Sequence, residues 1–230
     1  MDMQVPVPIA GAVLLAAPSG ESDDALLWSQ VAGKPLVAWP LAALRAAPEI
    51  GPIALVVSES RLEDAARLIA AEVLADTSVV ADLTPQPPLP VGEGEAEAPR
   101  VIVLHDAARP LVTPEQIQQV VAAAVDAGIA VGAEPVKETI KRMTQGRVVE
   151  TLPRDELAQL VPPLALRADL LPALLDAPER PSGTRMMDFV AAALVQGNPM
   201  RTVPLAGPSL AVTSPEDLAV AEALLRAPGS

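Results

Sequence analysis

The chain has 230 residues, half of them hydrophobic and a fifth charged, enough for one α/β domain with a sizeable core. A formal net charge of −13 repels nucleic acid and anionic membrane surfaces, so neither is expected as a partner. With no cysteine, disulfides and thiolate chemistry are excluded; with two Trp, one Phe and no Tyr, the core must be built from Ala, Val, Leu and Ile.

Apolar runs alternate with helical periods along the chain. Ile9 to Ala17 reads as a strand, Ser19 to Ala32 as a loop, and Pro35 to Ala47 as a helix kinked at Pro40. Ile53 to Val57 is a buried strand. Arg61 to Val73 is amphipathic, with Leu62, Ala65, Ala66 and Ile69 on one face. Val79 and Val80 mark a short strand and Val101 to Leu104 a central one. Thr113 is the N-cap of a helix over Pro114 to Ala127, with proline at its first position, and Ile129 to Ala133 is another strand. Arg167 to Leu175 and Thr184 to Val195 look helical; Met200 to Pro204 and Leu210 to Val212 look like strands. Ser214, Pro215, Glu216 and Asp217 open a final helix to Arg226. This alternation predicts a largely parallel sheet flanked by helices, in one domain over residues 1–230. The amino-terminal apolar run is broken by prolines and lacks a basic flank. No stretch nears the roughly 18 apolar residues of a spanning helix, so a cytoplasmic protein is expected.

Two segments break the rhythm. Residues 83–100, rich in Pro, Gly and Glu, offer almost nothing to bury and read as a flexible loop. Residues 136–154 form two alternating, charge-dense segments around Gln145-Gly146, the pattern of a hairpin arm that projects toward a partner chain.

The stretch Val101 to Val112, VIVLHDAARPLV, is where chemistry concentrates. A buried strand that delivers His105, Asp106 and Arg109 at its carboxyl end is where an open α/β sheet places its ligand. HDAARPLV (His105 to Val112), ETIKR (Glu138 to Arg142), Pro153-Arg154 and TSPEDLAVAE (Thr213 to Glu222) occur in fixed order, with GKPL (Gly33 to Leu36) after an Ala16-Ala17 strand end. Together they resemble the methylerythritol-phosphate cytidylyltransferase family. The resemblance implies a Rossmann-like nucleotidyltransferase fold with a projecting β-arm that forms a homodimer. The implied reaction is transfer of CMP from CTP to methylerythritol phosphate, with Mg²⁺ bridging phosphates.

Residue by residue, the resemblance makes Asp106 the catalytic and metal-binding carboxylate and Arg109 a sugar-phosphate anchor. Thr139 and Lys141 match the arm's Thr-Ile-Lys element as substrate-phosphate-binding residues, and Arg154 matches an arm arginine that reaches the substrate phosphate in the other subunit. Ala16, Ala17 and Gly20 are what remains of the nucleotide-binding loop. His105 is expected to brace the strand end rather than act as a base.

The nucleotide half departs from the family pattern. Pro18 stands for the first glycine of a G-x-G-x-R loop and removes an amide that would face phosphate. Ser22 takes the place of the arginine, Leu26 and Leu27 lie nearest the position of a catalytic lysine, and Glu21, Asp23 and Asp24 bring carboxylates. The Pro/Glu-rich 83–100 loop replaces the segment that holds cytosine and ribose. Pro162-Pro163-Leu164 replaces Thr-Pro-Gln, Ser209 an asparagine and Ala211 a lysine; of paired aspartates only Asp188 remains, beside Phe189. The expectation is a family member that does not run the reaction unaided and binds a small phosphorylated ligand as a homodimer, or in a mixed dimer with an active relative. The alternatives are a working nucleotidyltransferase of altered specificity and a non-catalytic sugar-phosphate-binding partner.

Overall fold

A computed structural model describes residues 9–16, 21–72, 76–81, 100–177 and 186–227. The expected 83–100 loop lies outside these residues except for Arg100, as do Ala17 and Gly20.

The sheet is built from seven strands: β1 (Ala10–Ala16), β4 (Ile50–Val57), β5 (Thr77–Ala81), β6 (Val101–Asp106), β7 (Ile129–Pro135), β10 (Ala158–Arg167) and β11 (Arg201–Pro204), in the spatial order β11-β7-β10-β6-β1-β4-β5. Two small ladders stand apart, β2 (Gln30–Val31) with β3 (Lys34–Pro35), and β8 (Lys141–Thr144) with β9 (Arg147–Thr151). The helices are α1 (Glu21–Leu27), α2 (Ala38–Ala46), α3 (Leu62–Ala71), α4 (Pro114–Ala127), α5 (Leu171–Leu175), α6 (Met186–Val195) and α7 (Pro215–Leu225). Within the seven-stranded sheet all pairings are parallel except those of β10, which runs antiparallel to β6 and β7. The Rossmann-like, mostly parallel architecture expected from the sequence is the observed one.

Strand alternation sends side chains into two cores, one on each face of the sheet. Ala12, Leu14, Val101 and Val103 meet residues of α2, α3, α4 and α7 on one face. Val13, Leu15, Ile102 and Leu104 meet α5 and α6 on the other, around the fully buried Phe189. The chain leaves β1 for β4 on one side and returns to β6 on the other. The carboxyl ends of β1 and β6 therefore flank a topological switch point, the place where such sheets open a crevice.

Several sequence expectations need correction. The stretch expected as loop from Ser19 contains α1 and β2, because Leu26 and Leu27 find core to bury against. The helix expected from Pro35 begins at Ala38, since Lys34-Pro35 pairs with Gln30-Val31; its Pro40 sits in the first turn, where a missing N–H costs nothing. Leu62 is 38% exposed, and Ala65 and Leu68 carry the buried face of α3. Leu210 to Val212 is not a strand: among the described residues its ladder-like bonding is limited to Val212 N–H to the Ala108 carbonyl, 2.8 Å. Strand β10 is hidden in the sequence, because Pro162-Pro163 reads as a breaker. The prolines fall where the β10–β7 register shifts between Val161 and Leu164, so they interrupt no ladder bond.

Candidate active site

Asp106 is the last residue of β6, in register with Leu15 of β1, and the Ala107 N–H donates to the Leu15 carbonyl at 2.9 Å. The turn that follows is made locally. The Ala108 N–H donates to Asp106 Oδ1 at 2.9 Å and the Arg109 N–H to the Asp106 carbonyl at 3.0 Å. Asp106 is half-buried, with one oxygen holding the turn. Arg109 projects from the same turn and its Nη1 donates to Ser209 Oγ at 2.9 Å. One turn at the switch point thus carries both an aspartate and an arginine, the carboxylate bonded to the turn's own backbone and the guanidinium to Ser209. Arg109 also lines a small pocket with His105, Gln116, Glu134, Pro162 and Ser209.

His105, only 1% exposed, braces this turn. Its Nε2 lies 3.0 Å from the Arg109 carbonyl. Burial lowers its pKa to about 4, against the opposing pull of that hydrogen bond and of Asp106, with Arg109 adding to the lowering. The neutral ring must therefore donate from Nε2, which leaves Nδ1 a bare acceptor, buried and without a partner among the described residues. A ring committed to a backbone carbonyl supports the turn and supplies no cation to a phosphate.

On the other side of β1 the picture differs. The sequence carries no Lys or Arg before Lys34. Lys34 Nζ lies over the Trp39 ring, 4.0 Å from its centroid. Arg61, just beyond β4, is held by two carboxylates: Nε to Asp24 Oδ2 and Nη1 to Asp64 Oδ2, both 2.9 Å. Those bonds raise the Arg61 pKa further and hold the Asp64 carboxyl below the ordinary range. The sequence sets Asp24 among carboxylates expected to face a phosphate; the structure instead turns it toward Arg61 and Ser58. Nothing local could have revealed that partner, which lies 37 residues away.

The arm is an antiparallel hairpin whose register shifts between Arg142 and Met143. Gln145 and Gly146 have φ of 48° and 76°, the pair of positive values a tight two-residue turn requires. Arg142 pairs with Glu150 across the ladder at 3.0 Å, and Lys141 Nζ donates to Thr151 Oγ1. Thr139, Lys141 and Arg154 are exposed, and no hydrogen bond or ion pair among the described residues joins them to Asp106 or Arg109. One chain therefore brings together Asp106, Arg109 and His105, and leaves the arm residues apart.

The sequence profile of the 2-C-methyl-D-erythritol 4-phosphate cytidylyltransferase family matches residues 10–227. The chain belongs to this family. The cytidylyltransferase of Dehalococcoides mccartyi is 31% identical across 94% of this chain and 96% of its own length. That of Pelotomaculum thermopropionicum is 32% identical, with 94% of both chains covered. The crystal structure of the 4-diphosphocytidyl-2C-methyl-D-erythritol synthase from Anaerococcus prevotii shares the fold, with a TM-score of 0.79 at 19% identity over 96% of this chain and all of that one. The Thermus thermophilus cytidylyltransferase structure matches with a TM-score of 0.66 at 24% identity, covering 94% of this chain and 98% of that one.

For a cytidylyltransferase-family fold the implied divalent cation can be tested against the donors present. No group of three His, Asp or Glu converges among the described residues. Asp106 alone fits the Mg²⁺ habit of taking one or two carboxylates and completing its shell with substrate phosphates and water. Such a site depends on phosphates that other groups must hold.

Proposed function

We propose that this chain is a cytidylyltransferase-family protein that keeps the sugar-phosphate half of the site and the dimerisation arm, but does not grip CTP and so does not run the family reaction unaided. The observation that carries the reading is the electrostatics of the nucleotide side. A triphosphate there would meet no free lysine or arginine from the first 33 residues and an Arg61 already held by Asp24 and Asp64. Replacing cations by like charges at a few ångströms costs on the order of 1–4 kcal/mol per pair at effective dielectrics of about 80 to 20.

The other half is suited to a phosphorylated polyol. Arg109, pre-set by the turn that His105 and Asp106 hold, offers a fork to a phosphate. Thr139, Lys141 and Arg154 would reach the same phosphate from a second copy, because within one chain no hydrogen bond or ion pair among the described residues joins them to Asp106 or Arg109. Exposed Met143, Val148 and Val149 give the arm an apolar surface for that partner. Mg²⁺, when bound with phosphates, would be held by Asp106 and would neutralise their charge. A mixed dimer, in which this arm completes the site of an active relative, follows from the same half-site logic.

Pyrophosphate release from CTP and 2-C-methyl-D-erythritol 4-phosphate tests the reading. No turnover above an Asp106→Ala control is expected for the protein alone. Turnover abolished by Asp106→Ala would establish a working nucleotidyltransferase instead. Co-expression with an active relative tests the mixed dimer, which separate homodimers would refute.

A further inference from the structure

The Asp24–Arg61 contact has features that a merely structural ion pair does not need. Asp24 meets Arg61 through one oxygen only, at Nε; its Oδ1 is buried with no partner among the described residues. Trp28 Nε1, four residues on, is likewise buried without a hydrogen-bond partner among the described residues, and the Arg61 guanidinium lies 5.9 Å from the Trp28 ring centroid. A buried carboxylate oxygen left without a donor is costly, so the contact is held below its best geometry. The Arg61 side chain remains 28% exposed, with Nη2 outside both ion pairs. Its position is also particular. Arg61 follows the carboxyl end of β4, whose Val57 is in register with Ala16 of β1, and Ser58 Oγ lies 3.5 Å from Asp24 Oδ2. The pair thus fastens α1 across the rim of the crevice where the sheet places ligands.

We propose that Arg61 is a latent phosphate site whose guanidinium Asp24 fills in place of a ligand. The ligand class is an anion with phosphate oxygens able to take the guanidinium fork at two atoms, which a carboxylate bound through one oxygen does not do. When such an anion engages Arg61, Asp24 is released together with the hold on α1, so binding and opening of this rim are coupled. Asp64, which also holds Arg67 at 2.6 Å, keeps Arg61 anchored at Nη1 in both states. This rests on the reading that the native chain does not hold a nucleotide.

The test is calorimetric titration of the full-length protein with inorganic pyrophosphate and, separately, with CTP. The variants are Asp24→Asn, Arg61→Gln and the double variant, each checked for a native thermal transition. Asp24→Asn is expected to bind at least one of the two about tenfold more tightly than the native chain, the strength of one charge-assisted hydrogen bond that the anion no longer displaces. The double variant is expected to lose that gain. Pyrophosphate alone would assign the site to free phosphates, and both ligands to a nucleotide's phosphates. If folded Asp24→Asn binds neither more tightly, or the gain survives loss of Arg61, the site does not exist. If Asp24→Asn is unfolded, Asp24→Ser supplies the same comparison. Tight CTP binding by the native chain would refute the proposed function, while the difference made by Asp24 still judges Arg61.

Discussion

At the scale of single residues, the site is legible where its bonds are local and illegible where they are not. Asp106, Ala108 and Arg109 close their own turn within four residues, so HDAAR can be read for what it builds. His105 adds burial to that local chemistry. Its removal by His105→Ala should cost about 2–4 kcal/mol in urea unfolding, from the lost packing and the Arg109 carbonyl left without its donor. Asp24 and Arg61 meet only because β1 and β4 are neighbours, and no periodicity announces that. Gly132 is a second residue whose role the sequence hides. A Cβ there would come 2.6 Å from the Val161 carbonyl oxygen and 2.5 Å from Leu205 Cδ1. Backbone cannot give as a side chain can, so Gly132→Ala should destabilise by about 1–3 kcal/mol in the same assay.

Among the secondary-structure elements, those with chemical punctuation were readable from sequence. Thr113 and Ser214 each form the expected N-cap, reciprocated by Gln116 and Asp217 three residues on. Asp217 accepts from the Thr213 and Ser214 amides at 2.9 and 3.0 Å, which holds its carboxyl below the ordinary range. A depressed carboxylate adds stability that is full above its unfolded pKa, near 4, and fades as pH falls through the lowered folded value. Asp217→Asn should therefore melt below the native chain at neutral pH, and the gap in Tm should narrow toward pH 3. Elements decided by packing were not readable. Strand β10 hides behind two prolines that its register shift accommodates, and α1 behind a polar sequence whose only apolar pair, Leu26-Leu27, seals it to the core.

For the whole molecule, charge is unevenly shared. The arm, residues 136–154, carries Lys137, Lys141, Arg142, Arg147 and Arg154 against Glu138 and Glu150, in a chain whose net charge is −13. A basic, apolar-tipped arm on an acidic body suits a second copy of the chain. Met143 pairs opposite Val148 in the ladder and both are more than half exposed. The native chain should sediment as the proposed dimer in sedimentation velocity, and Met143→Lys with Val148→Lys as a monomer with the thermal stability of the body unchanged; a native chain that sediments as a monomer would refute the proposed dimer. Among the described residues no helix is long and apolar enough to cross a membrane. The proposed parting of the two halves of the family's site is tested most directly by titration of the native protein with 2-C-methyl-D-erythritol 4-phosphate and with CTP. Calorimetry should register binding of 2-C-methyl-D-erythritol 4-phosphate, weakened by Arg109→Ala, and none of CTP with Mg²⁺. Saturable CTP binding in that cell would contradict it.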